Sequence, residues 1–165
     1  MNRFFTLKAS FLLVALTLVF SSCSSTKLPT ADNLLTAITT NPKLTQFASL
    51  LEMAGGLGSV LGDDGKFTLF APSNEALSAM GDDAISTITD PDNKTLLTNV
   101  LRGHAVSGAL SPKKVGKEEL LTNAMGKNLG VSGTESNLMV GGANIVESIK
   151  TKNGFVHVID KVLKN

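Results

Sequence analysis

The chain has no Trp, no Tyr and only one Cys in 165 residues, and its 15 Lys plus Arg nearly balance 14 Asp plus Glu. Without Trp or Tyr the usual stacking platforms for bases and sugar rings are missing, and a net charge of +1 gives no polycationic face for phosphates. Nucleic acid is therefore excluded as a partner class. One Cys cannot form an intrachain disulfide, and one Cys with two His is too few for a Cys-rich zinc site. No metal and no cofactor is expected. At 42% hydrophobic the composition is globular, and the length suits one domain that buries roughly two-thirds of its unfolded surface.

The first residues have a separate role. Arg3 and Lys8 make a positive start without acids, Ala9 to Phe20 is an apolar stretch, and Ser21 and Ser22 follow. This order is that of a secretory signal peptide, and the apolar stretch falls short of the ~20 residues needed to span a bilayer. Phe20-Ser-Ser-Cys23 resembles the lipobox of bacterial lipoproteins, with Phe20 where Leu is usual. The resemblance implies cleavage before Cys23 and acylation of its thiol, which would attach the protein to a membrane through acyl chains. Ser24 rather than Asp follows the Cys, which points to the outer rather than the inner membrane of a bacterial cell envelope. Loss of residues 1–22 takes Arg3 and Lys8 with it, so the mature chain has 13 basic and 14 acidic groups, a net charge of −1. Residues 23–30 read as a polar tether and 31–165 as one domain.

Within that domain helical patterns come first. Asp32 is placed to cap a helix over Leu34 to Ile38, and Asn41 with Pro42 opens a second that ends at Gly55 and Gly56. Lys66 to Ala71 reads as a strand, after which Ser73 caps a helix. Asp82 or Asp83 opens another. Asp90 and Pro91 open the last, with a stripe of Leu96, Leu97, Val100 and Leu101 and a stop at Gly103. Strands are expected near 120–125, 128–131, 138–140, 144–150 and 155–163, with Asn153-Gly154 as the hairpin signal. Helices followed by strands make the fold class α+β.

Three stretches resemble signatures of the fasciclin domain. They are Phe67-Thr-Leu-Phe-Ala-Pro-Ser-Asn-Glu-Ala-Leu77, Val100-Leu-Arg-Gly-His-Ala-Val106 and Asn153-Gly-Phe-Val-His-Val-Ile-Asp-Lys-Val-Leu163. The resemblance implies a β-wedge or sandwich of about seven strands with helices packed around it. It also implies a non-enzymatic surface module for adhesion to an envelope or extracellular macromolecule, protein or polysaccharide. A periplasm-facing carrier or sensor of a small ligand is the alternative, and a closed pocket of roughly 300 Å³ or more would favour it. Gly103 stands where the family usually has Tyr, so Tyr-dependent integrin binding is not carried over. Gly103 is instead read as a left-handed helix stop.

The signature residues Phe70, Ala71, Pro72, Ser73, Asn74, Glu75, His104, His157, Ile159 and Asp160 are read as mainly structural. Ser73, Asn74 and Glu75 lie where a strand turns into a helix, and capping explains them without chemistry. No Gly-x-Ser-x-Gly elbow and no Gly-Lys-Ser or Gly-Lys-Thr phosphate loop occurs, so no catalytic residue is assigned. Asp63 and Asp64 lack calcium-loop spacing and read as a turn. His157 and Asp160 would point to opposite faces of one strand and so cannot chelate together. Gly103 and His104 are the candidate binding positions, and an exposed apolar patch on the helical side or around His104 is where a contact is expected.

Overall fold

The computed structural model describes residues 28–56, 65–134 and 137–163. The signal peptide, Cys23, most of the tether and the Asp63-Asp64 turn lie outside the described residues. Among the described residues eight strands run in chain order: β1 (Thr30–Ala31), β2 (Phe67–Pro72), β3 (Ala105–Ser107), β4 (Leu120–Thr122), β5 (Asn128–Thr134), β6 (Asn137–Val140), β7 (Ala143–Thr151) and β8 (Gly154–Ile159). The α-helices bounded within the described residues are α1 (Leu34–Thr39), α2 (Thr45–Met53), α3 (Asn74–Ser78), α4 (Asp82–Thr89), α5 (Lys94–Gly103) and α6 (Pro112–Val115). The fold class is α+β, as expected.

The strands form one mixed sheet in the order β3-β2-β8-β7-β6-β5-β4, with β1 alongside β7. β2–β8 and β1–β7 are parallel and the remaining pairs antiparallel. The sheet curls until its two ends meet. Val106 bridges Asn123, and the Ala124 N–H donates to the Ala105 carbonyl at 2.8 Å. Curling separates two apolar interiors. Phe70, Val106, Leu121, Leu129, Leu138, Val140 and Ile159 fill the wedge, while Leu69, Ala71, Ile149, Val156 and Val158 carry the helices on the outer face. Alternation of side chains along β2 and β8 therefore buries both faces of these central strands. Each such Leu, Phe or Val contributes about 1.5–3 kcal/mol by leaving water.

Several boundaries differ from the sequence reading. Asn33, not Asp32, caps α1, its Oδ1 accepting the Thr36 N–H at 2.7 Å, while Asp32 pairs with Lys152. Asn41 and Pro42 open a 3-10 turn, Pro42–Leu44, before α2 begins. Thr30, assigned to the tether, is in β1, where the Lys150 N–H donates to the Pro29 carbonyl. β5 continues through Gly133 because β6 pairs with it as far as Thr134. Gly103 is not a left-handed stop. It is the last, buried residue of α5, and His104 caps the helix at φ −92°.

The Asn-Gly turn is also displaced. Thr151 pairs with Gly154, so Lys152 and Asn153 make the loop and Gly154 already belongs to β8. The reason lies in the neighbouring strand, because a Cβ at Gly154 would collide with the Phe67 carbonyl of β2. Asn153 completes the corner: its Oδ1 accepts the Leu34 N–H at 3.1 Å and its carbonyl accepts the Phe67 N–H at 3.1 Å.

Candidate functional site

The three sequence signatures converge at the centre of the sheet. β2 and β8, far apart in sequence, lie parallel and in register, with Phe70 beside His157 and Leu69 beside Val156. The middle signature supplies β3 on the other edge of β2, and the Phe70 N–H donates to the His104 carbonyl at 2.8 Å.

Both imidazoles are fully buried and fully bonded. His104 donates from Nδ1 to the Val100 carbonyl (2.7 Å) and accepts the Leu163 N–H at Nε2 (3.0 Å). His157 donates from Nε2 to the Leu110 carbonyl (2.9 Å), and its Nδ1 accepts the Ser148 hydroxyl (2.7 Å). In each ring one nitrogen donates and the other accepts, so both are neutral. Burial pushes each histidine down to about 4 from an ordinary 6.5, against the raising effect of the Val100 or Leu110 carbonyl.

Ser148 and His157 form the pair from which a hydrolase site would be built, but the second imidazole nitrogen meets a main-chain carbonyl rather than a carboxylate. Both side chains are also sealed from solvent. Phe70 and Phe155 flank the ring, with centroids 5.3 and 6.0 Å away. The His157 pair ties β7 to β8 and holds the Leu110 loop. Among the described residues no group of three or more His, Cys, Asp or Glu is placed to hold a metal ion.

The other signature residues are fasteners too. Ser73 caps α3 by accepting the Ala76 N–H. Asn74 reaches across to α2, its Oδ1 accepting the Gln46 N–H (3.1 Å) and its Nδ2 donating to the Pro42 carbonyl (3.0 Å). Glu75 is exposed, and its own N–H and the Ser73 hydroxyl hold it below the usual carboxylate range. Asp160 accepts both the N–H and the Nδ2 of Asn144, at 2.8 and 2.6 Å. Burial raises Asp160, but these bonds and the Lys161 charge outweigh it and hold the carboxyl below its ordinary value.

The concave surface lies at one end of this arrangement. A groove of about 950 Å³, open to solvent, runs between α3, α5, the β6–β7 turn and the segment after β8. Ala76, Ala79 and Met80 form one side and Leu96 and Val100 the other, while Gly141, Gly142 and Asp160 to Leu163 close its end. Gly141 lets the end wall close, since a Cβ there would come within 2.9 Å of the Leu163 side chain. His104 supports two lining residues directly, through the Val100 carbonyl and the Leu163 N–H. It does so from below, without exposure, and Gly103 does not line the groove.

The sequence reading pointed to an apolar patch on the helical side or around His104 but did not name these lining residues. One signal for it was present: the apolar stripe of α5 is two lines wide. Leu97 and Leu101 are buried, whereas Leu96, 41% exposed, and Val100 form a second line that no described element covers completely.

A wedge-shaped mixed sheet with helices on its outer face, fastened by these three signatures, defines an architecture found elsewhere. A family model described as Fasciclin domain matches residues 42–165. The chain belongs to the fasciclin domain family. It is 31% identical over 111 residues to protein sll1483 of Synechocystis sp., covering 67% of this chain and 61% of that protein. It is 33% identical over 139 residues to immunogenic protein MPB70 of Mycobacterium bovis, covering 80% and 68%. The chain thus spans about three-fifths of the length of the cyanobacterial relative. A solved fasciclin-domain pair from the insect cell adhesion molecule Fasciclin I superposes with a TM-score of 0.57 at 24% identity, over 73% of this chain and 45% of that one.

Proposed function

We propose that the protein is a lipid-anchored binding module of the bacterial cell envelope. It is held through Cys23, more consistently with the outer than the inner membrane, and engages an envelope or extracellular macromolecule without catalysing a reaction. The observation that carries this reading is the division of labour in the domain. Every signature His, Ser and Asp is occupied by an internal bond, while an open apolar groove is left to solvent. A surface contact is the activity such an arrangement supports. The insect relative of this fold is named as a cell adhesion molecule, which favours adhesion as the purpose of the contact.

The first described strand and the groove lie at opposite ends of β8. The chain enters at β1, beside the Thr151–Gly154 end of the β7–β8 hairpin, and the groove lies past the other end of β8. Six residues of strand separate them by roughly 17 Å. The test is binding of the purified full chain, in phosphatidylcholine vesicles, to whole cells and envelope extracts. Saturable binding that Leu96→Asp weakens roughly tenfold supports the reading. Binding that does not saturate, or that Leu96→Asp leaves intact, removes it.

A further inference from the structure

A second, smaller cleft shares α3 with the groove. Ala76, Ala79 and Met80 of this helix line the groove, whereas Leu77 and Ser78 line a space of about 270 Å³ that α2 and α4 complete. That volume falls just below the roughly 300–1,000 Å³ of small-ligand pockets and suits a single side chain. Leu50, Met53, Leu77 and Ile85 make its walls apolar, and Met53 is 47% exposed. The one charged group in the lining is the carboxylate of Asp82, which forms no ion pair among the described residues.

The charges around this cleft have one sign. α2, α3 and α4 carry Glu52, Glu75, Asp82 and Asp83 and no Lys, Arg or His, and Lys43, just before α2, is paired with Glu147. The Ser49 hydroxyl donates to the Thr45 carbonyl (3.2 Å) and the Thr89 hydroxyl to the Ile85 carbonyl (2.9 Å), so both offer the cleft only lone pairs. Gln46 and Ser78 can take either role. The first turn of α4 has no side-chain cap, but the two carboxylates of Asp82 and Asp83 stand in it and outweigh the roughly half positive charge of a helix start. A primary ammonium has three protons to donate and nothing to accept, whereas an anion would meet carboxylates. We propose that the cleft takes the side chain of a lysine presented by a protein partner, its alkyl stem lying on Leu50, Met53 and Ile85 and its ammonium meeting Asp82. A lysine buries its stem along apolar surface while its charged head stays at the rim, which is the order of groups found here. The inference does not rest on the groove between α3 and α5.

The test is an NMR titration of the full chain in phosphatidylcholine nanodiscs with Nα-acetyl-lysine N-methylamide as probe. Its controls are the norleucine analogue, which keeps the stem without the charge, and hexylammonium, which keeps the charge without the main chain. The expected result is saturable shifts confined to the amides of α2, α3 and the first turn of α4, produced by the lysine derivative and not by the norleucine one. Asp82→Asn should weaken binding roughly tenfold, and Ser49→Trp, at an exposed position of the cleft wall, should abolish it. Shifts that do not saturate, equal binding of the norleucine analogue, or indifference to Asp82→Asn would overturn the inference. Binding of hexylammonium with no binding of the lysine derivative would overturn the assignment to a protein side chain. If Ser49→Trp does not fold, the exposed Asp82→Asn still decides the matter. The two proposals can fail separately, because Leu96→Asp acts on the groove and Asp82→Asn on this cleft.

Discussion

Mild acid should destabilise this domain through its two buried histidines. In the fold His104 and His157 titrate near 4, whereas in the unfolded chain they titrate near 6.5. The unfolded state therefore binds more protons between these values, so the stability contributed by two neutral, bonded imidazoles is complete above about pH 7 and declines as pH falls through 6.5 towards 4. At about pH 5 the loss is about 2 kcal/mol per histidine, or about 4 kcal/mol for the pair, against the 5–15 kcal/mol typical of a whole domain. The slope near pH 5.5 should approach about 2 kcal/mol per pH unit, nearly two protons taken up on unfolding. Urea denaturation at several pH values measures it directly. His157→Gln removes one titrating group and should roughly halve the slope, even though its stability at pH 7 is lower. A wild-type stability that is flat from about pH 7 to 5, or histidine NMR titrations centred near 6.5, would refute the reasoning.

Three further outcomes follow from particular contacts. Gly154→Ala forces a Cβ into the Phe67 carbonyl and should cost about 3 kcal/mol or more, read as a fall in the urea midpoint; a midpoint unchanged from wild type would show that β2 and β8 are not in the described register. Asn74→Ala removes the bonds that tie the start of α2 to the β2–α3 corner, and a loss of about 1–2 kcal/mol is expected, with amide exchange accelerated first in α2. Cys23→Ala should abolish incorporation of labelled palmitate and release the protein from membranes, and a variant still labelled would disprove the anchor.

The signatures were legible because fastening a fold uses distinctive residues at fixed spacing. Ser73 before a helix, His157 between Phe155 and Ile159, and the strand-like runs after residue 120 all identify themselves locally. What the sequence hid was non-local. The parallel pairing of β2 with β8 has no local code, and three-residue β3 follows a helix without any turn signal of its own. Asn153-Gly154 carried a hairpin signature, yet its glycine serves the approach of another strand rather than the turn. The groove was hidden for a different reason. It is made of Ala, Gly, Met, Leu and Val, which read as core in any helix, and only tertiary placement shows that Leu96 and Val100 are left partly uncovered. Gly103 was misread because a glycine near a helix end usually stops it, whereas here His104 takes that position and Asn123 Nδ2 donates to the Gly103 carbonyl at 3.1 Å.

Site-specific photocrosslinking in the native cells tests the central claim most directly. A photoreactive side chain at Ala79 or Leu96, on the groove walls, is compared with one at Leu120, which is 59% exposed on β4 and does not line the groove. The account predicts a discrete adduct with an envelope component from positions 79 and 96 and none from 120. Equal adducts from all three positions, or an adduct from Leu120 alone, would contradict it.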